Sequence, residues 1–166
     1  DADADVIKVP TGTTNVEIVG NLSVGGTISG AGKILQVVNA ALLADTNTTS
    51  TSYTSTGLSV TLTPTSSSST VFITLQGGGG QISSGSSLKL TILRGSTDIA
   101  PNHSLISNVF SDADTHFVTH SIAVLDSPNT TNSTTYTVHM KTNTGTIQFC
   151  NSDKGNPVLT AFEIAG

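Results

Sequence analysis

The chain has 166 residues, enough for one domain with a real core plus an extended arm. Charged residues are only 10% and aromatics 4%, with no Trp, while Ser and Thr together make about 30%. Thr, Val and Ile favour strands, and Ser, Asn and Gly favour turns, so the class is all-β rather than disordered. Net charge is −5 with six scattered Lys or Arg, which gives nucleic-acid binding almost no electrostatic support. No stretch is long and apolar enough to span a membrane, and no signal peptide is visible.

The chain begins Asp1-Ala2-Asp3-Ala4-Asp5 and is expected to be a piece of something longer, or a processed product. From Val16 to Gly30 every even position is apolar or glycine: Val16, Ile18, Gly20, Leu22, Val24, Gly26, Ile28, Gly30. A period of two means extended backbone with one apolar face. At about 3.3 Å per residue it would reach roughly 50 Å, far beyond an ordinary strand. Its glycines make it poor as an isolated strand, so copies of itself are the expected cover. Residues 1–33 therefore read as a stalk, with Val16, Ile18, Leu22, Val24 and Ile28 at a trimer interface. Whether the row is one long strand or several short ones is left open by the pattern.

Residues 34–166 read as a β head. Apolar alternation predicts strands over 34–38, 59–62, 71–76, 88–94, 105–110, 116–125, 135–141, 146–149 and 158–164. Turn-forming segments at 64–69, 77–87, 127–133 and 151–157 separate them. The spacing suits an antiparallel β-sandwich or jelly roll with no long helix. Gly77-Gly78-Gly79-Gly80 lacks the Lys and helix of a phosphate loop and reads as a flexible hairpin loop. Asp126-Ser127-Pro128-Asn129 has turn chemistry. The lone Cys150 excludes an internal disulfide framework and reads as a small buried hydrophobe.

Nothing in the sequence supports catalysis. There is no nucleophile elbow, and no pair of carboxylates is placed for glycoside hydrolysis. The chain is expected not to be an enzyme and to need no cofactor. His116 and His120 share one face of a strand, with Asp112 and Asp114 at the same parity, which makes them weak metal candidates. The two histidines would lie about 13 Å apart, so one chain cannot clamp an ion with both. Exposed or interface histidines are the plainer reading.

The order of several segments carries a family resemblance. It runs from Gly32-Lys33-Ile34-Leu35-Gln36-Val37-Val38 through Thr51-Ser52-Tyr53 and Gly57-Leu58-Ser59-Val60-Thr61-Leu62-Thr63-Pro64. It continues through Leu93-Arg94-Gly95-Ser96-Thr97, Leu125-Asp126-Ser127-Pro128-Asn129-Thr130-Thr131 and Tyr136-Thr137-Val138 to Ala161-Phe162-Glu163-Ile164. This order resembles the distal domains of tailed-phage tail fibres, especially those of marine and cyanobacterial phages, over residues 34–166. The resemblance implies a homotrimeric, virion-borne, extracellular fibre tip whose partners are itself, the rest of the fibre and a host surface glycan or outer-membrane protein. The receptor does not carry over.

Receptor contact needs adaptable polar groups on loops of a rigid scaffold. Asn102, His103, Asn108, Asp112 and Asp114 in the segment 100–114, and Asp153 and Lys154 in the loop 151–156, meet that description. Tyr53, Phe72, Phe110, Phe117, Tyr136, Phe149 and Phe162 fall mostly at core-like positions, so no deep sugar pocket is expected. Shallow contacts repeated three times would gain affinity by multivalency. The main rival is a purely structural fibre or capsid-decoration subunit that polymerises, with residues 1–9 donated as a strand to a neighbour. A trimeric cellular jelly roll of complement or tumour-necrosis type and a fibre-borne glycan depolymerase are the others.

Overall fold

The computed structural model describes residues 33–82, 85–100, 109–110 and 116–166. The arm with Val16, Ile18, Leu22, Val24 and Ile28 lies outside the described residues. So do Asn102, His103, Asn108, Asp112 and Asp114, and the side chain of His116.

Eleven strands are formed by the described residues. They are β1 (Ile34–Ala41), β2 (Thr46–Thr48), β3 (Thr54–Leu62), β4 (Thr70–Ile82), β5 (Ser87–Arg94), β6 (Thr97–Asp98), β7 (Val109–Phe110), β8 (His116–Asp126), β9 (Thr134–Thr142), β10 (Ile147–Cys150) and β11 (Pro157–Ile164). Every pairing is antiparallel. One sheet carries β1-β11-β4-β10-β2 with β8 on β4, and the other β3-β9-β5-β6 with β7 on β5. The fold is all-β, as the composition requires. The alternation that predicted the strands also selects their inner faces. Val71, Ile73, Leu75, Ile122, Val124, Leu159 and Ala161 from the first sheet meet Leu58, Val60, Leu62, Leu88, Leu90, Ile92, Val138 and Met140 from the second in one core.

The first sheet is four strands wide and broken along half its width. β11 pairs with β4 from Gly77 to Thr70, while β10 pairs with the same edge at Gln81 and Ile82. β1 continues the row beyond β11, and β2 beyond β10. The loop 151–156 emerges at this break. There β4 carries a bulge between Gly77 and Gly80 opposite β8. The expected flexible hairpin loop at Gly77–Gly80 is thus corrected: these residues lie inside β4, and Gly78, Gly79 and Gly80 are buried. Glycine is required there by close approach. A Cβ on Gly79 would collide with Lys154, and one on Gly80 would sit 2.8 Å from His120 Nε2 and 2.9 Å from the Gln148 carbonyl.

Two polar ties fix the opposite end of the sandwich. Asp126 accepts hydrogen bonds from Arg94 Nη1 (3.0 Å) and from the buried Tyr136 hydroxyl (2.8 Å). Burial, and then that bond to Asp126, push the Tyr136 hydroxyl well above the usual phenol range. Beyond it, Asn129 takes a left-handed conformation (φ 52°) and donates to the Ser127 carbonyl, so the segment is the turn its residues predict. The second tie is Glu163, fully buried, which accepts from Gln36 Nε2 (2.6 Å) and from the backbone N–H and hydroxyl of Thr65 (both 2.7 Å). Burial raises its pKa, but the bonds from Gln36 and Thr65 outweigh it and the net shift is downward. The carboxylate thereby fastens β1 to the rest of the sheet.

The outer faces of the two sheets differ in chemistry. On the second, Lys89 lies opposite Lys141 and Thr61 opposite Thr135, with His139 on the same face of β9. On the first, Val37, Phe162, Phe72 and Leu125 are consecutive cross-strand partners in one row. Val37 is 50% and Leu125 60% exposed, and the two Phe rings lie 6.1 Å apart. Phe72 and Phe162 are therefore outward, half-buried residues rather than core, whereas Tyr136 and Phe149 are buried as expected.

Candidate functional site

The break in the first sheet gathers the polar and aromatic groups best suited to contact a ligand. Its frame is the tight turn Asn151–Gly155. Asn151 and Gly155 form an isolated bridge, the Lys154 N–H donates to the Asn151 carbonyl (2.9 Å), and the Asp153 N–H donates to Asn151 Oδ1 (3.1 Å). The turn is also tied outward. Gly79 N–H donates to the Gly155 carbonyl (3.1 Å), Asn151 Nδ2 donates to Gln148 Oε1 (3.0 Å), and Ser152 N–H donates to Asp45 Oδ1 (2.8 Å). The bond from the Ser152 N–H, chiefly, holds the Asp45 carboxyl below its usual range. Such a loop is preorganised: contacting a ligand costs it little further backbone entropy.

Lys154 projects from this turn across β4 to β8, where its Nζ lies 5.4 Å from the centre of the Phe117 ring. Phe117 is half exposed and stands on the outer face of β8. The expectation that it is a core residue is corrected. The parity of β8 decides this: His120, Ile122 and Val124 are buried, so the odd positions face out. An ammonium over an aromatic face is a contact of about 0.5–1 kcal/mol at an exposed site. Here it also fixes a flat ring beside a cation.

Of the residues expected to contact a receptor, Asp153 and Lys154 are therefore brought together, joined by Asp45, Gln148 and Phe117, which sequence reasoning missed. Phe117 was legible from strand parity. Asp45 was not, because it meets Ser152 only through the pairing of β2 with β10.

Beneath the site, His120 is buried at 2% exposure, stacked on Phe149 with ring centres 5.6 Å apart. Neither ring nitrogen has a hydrogen-bond partner among the described residues. Burial lowers its pKa to about 4, so it is neutral at physiological pH. The reading of His120 as an exposed or interface histidine is corrected, because its parity places it on the core face. Among the described residues no group of three or more His, Cys, Asp or Glu is placed to hold a metal. Cys150 is buried close by, its Sγ 3.4 Å from the Leu42 carbonyl, and burial raises its thiol pKa.

A smaller cluster lies on the second sheet. Lys141 Nζ sits 4.4 Å above the Tyr53 ring. Burial, and then the charge of Asp98, raise the Tyr53 pKa; burial lowers that of His139, which the Asp98 charge opposes.

These features define an all-β protein of two antiparallel sheets with a preorganised, shallow polar–aromatic surface at a break in one of them. No family model and no curated protein matches the sequence. Among solved structures the chain is similar to the tripod (BppUct-A-L) from the baseplate of bacteriophage Tuc2009, with a TM-score of 0.40 and 15% identity, over 96% of this chain and 84% of that one.

Proposed function

We propose that the chain is a virion fibre protein whose β head attaches to a host-surface receptor without catalysis. The observation that carries this reading is the pair formed by Lys154, on a loop tied at both ends, and Phe117 on the outer face of β8. A flat exposed ring packs against the C–H face of a sugar or an apolar patch of an outer-membrane protein. Lys154, Asp153, Asn151 and Gln148 around it supply donors and acceptors of both kinds. The surface is shallow, so one copy binds weakly, and a multimeric head multiplies the effect.

The order of segments that resembles tailed-phage fibre tips supports the placement on a virion, outside the host cell. Successive long strands alternate between the sheets, which supports reading the sandwich as a jelly roll. The apolar row at even positions 16–30 supports a stalk and a homotrimer joined to the rest of a fibre.

The test is binding of the recombinant protein to a glycan array and to host cells. Phe117→Ala and Lys154→Ala are each expected to weaken binding about tenfold, the equivalent of about 1.4 kcal/mol, with the circular dichroism spectrum unchanged. An exchange of loop 100–114 gives the parallel measure for Asn102, His103, Asn108, Asp112 and Asp114. Full binding by the Phe117 and Lys154 variants would remove this surface from the receptor contact. Release of reducing sugar from host polysaccharide would replace adhesion by catalysis.

A further inference from the structure

His120 is a buried base that the contact surface does not use. Its ring is 2% exposed and neither nitrogen has a hydrogen-bond partner. Such a ring is tolerated only while neutral, because an imidazolium carries a charge and two N–H donors that need partners or water. The ring stands where the first sheet is broken. It stacks on Phe149 of β10, and its Nε2 borders the space kept open by Gly80, which the Gln148 carbonyl also borders. Its Cδ2 borders the space kept open by Gly78, beside the Phe149 carbonyl and Pro157. The bulge of β4, the strand β10 and the start of β11 therefore close on one ring.

The same parts hold the contact loop. Gly79 N–H is bonded to the Gly155 carbonyl, and Gln148 Oε1 to Asn151 Nδ2. Pairing at this corner is thin: β10 meets β4 at Gln81 and Ile82, whereas β11 meets it from Gly77 to Thr70. Local opening takes the segment with the fewest ties, at a free energy below that of global unfolding. The titratable groups of the surrounding elements are few. β4 has none, β10 has Cys150, and the loop adds Asp153 and Lys154. β8 begins at His116 and ends at Asp126; Glu163 of β11 and Tyr136 on the inner face of the second sheet lie, like Asp126, at the opposite end of the sandwich. None of these shifts the ring, whose pKa is lowered by burial alone.

We propose that proton uptake by His120 opens the break in the first sheet and frees the Asn151–Gly155 turn, so that acid takes apart the surface formed by Lys154 and Phe117. The opened ring meets water, and the Gln148 and Phe149 carbonyls stand ready to accept from its two N–H groups. Linkage gives the direction. The closed ring takes its proton at about pH 4 and an open one near 6.5, so the open form binds more protons and acid favours it. Between pH 7 and pH 5 the open population grows about twentyfold. The opening itself does not depend on the receptor reading; only its consequence for adhesion does.

The single cysteine is the reporter. Cys150 ends β10 and is buried, its Sγ 3.4 Å from the Leu42 carbonyl and 3.8 Å from Asn156 Oδ1. The full chain is labelled with dithiodipyridine, which reacts with thiols in acid, and the rate is divided by that of free cysteine at each pH. This relative rate is expected to rise about twentyfold from pH 7 to pH 5, with the near-ultraviolet circular dichroism of the core unchanged. His120→Leu is expected to remove the rise. Should that variant not fold, amide hydrogen exchange of the wild type decides: Gly79, Ser152 and Lys154 are expected to lose protection at pH 5 while Val71, Ile73 and Leu75 keep it. Equal relative labelling at the two pH values overturns the inference. So does an undiminished rise in His120→Leu, and so does a rise accompanied by loss of the near-ultraviolet signal, which would mean that the whole fold opens. Labelling needs no receptor, so its failure counts against this inference alone, and the glycan-array result bears on the receptor reading alone.

Discussion

Gly79 and Gly80 are where one missing atom has the largest consequence. Gly79 lets the backbone of Lys154 lie against β4, and Gly80 leaves room for the His120 ring and the Gln148 carbonyl. Gly80→Ala is expected to cost about 1–3 kcal/mol, because both neighbours belong to packed elements, and a thermal melt reads this directly. Gly79→Ala displaces Lys154 and is expected to weaken receptor binding as well as stability. His120 gives a pH signature. Its unfolded pKa is near 6.5 and its folded one about 4, so the unfolded chain takes up the proton first. Stability from this residue is full above pH 6.5 and falls as pH drops towards 4, by up to about 3 kcal/mol. His120→Leu is expected to flatten urea-denaturation stability across that window; an unchanged slope would mean that His120 does not titrate as its burial dictates.

At the level of elements, the chain uses hydrogen-bonded carboxylates where its strands end. Asp126, at the end of β8, joins Arg94 of β5 to Tyr136 of β9 and so links the two sheets. Asp126→Asn keeps the shape but removes the charge that Arg94 and the Tyr136 hydroxyl both address. A loss of about 1–3 kcal/mol is expected, read as a lower denaturation midpoint with an unchanged m-value. The break in the first sheet is likewise an element-level device. β10 and β11 share one edge of β4, and the residues between them are released as the Asn151–Gly155 turn without losing the sheet. Long strands were legible in the sequence for this reason: each has a continuous inward row, as in the Val71, Ile73 and Leu75 of β4. β2 and β6 were not legible. Thr46–Thr48 and Thr97–Asp98 are too short to show a period, and they are strands only because β10 and β5 offer them edges.

For the molecule as a whole, the contrast between the outer faces organises everything else. One sheet shows water a mixture of Lys, His and Thr, and the other a neutral face crossed by Val37, Phe162, Phe72 and Leu125. A head built this way would tolerate change in its contact loop, because the loop's ties are local to β2, β4 and β10 while the core and the neutral face lie elsewhere.

The sequence by itself determined the all-β class, the core rows of the long strands, the turn at Asp126–Asn129 and the burial of Cys150. Each follows from local propensity or from a period of two, which needs no knowledge of neighbours. It also placed Asp153 and Lys154 on an exposed loop. Only the tertiary structure decided that the glycine run is packed inside a strand, that the His120 ring stacks on Phe149, and that Phe117 stands beside Lys154. Those facts depend on which strand lies next to which, and pairing between residues dozens of positions apart leaves no trace in either segment alone.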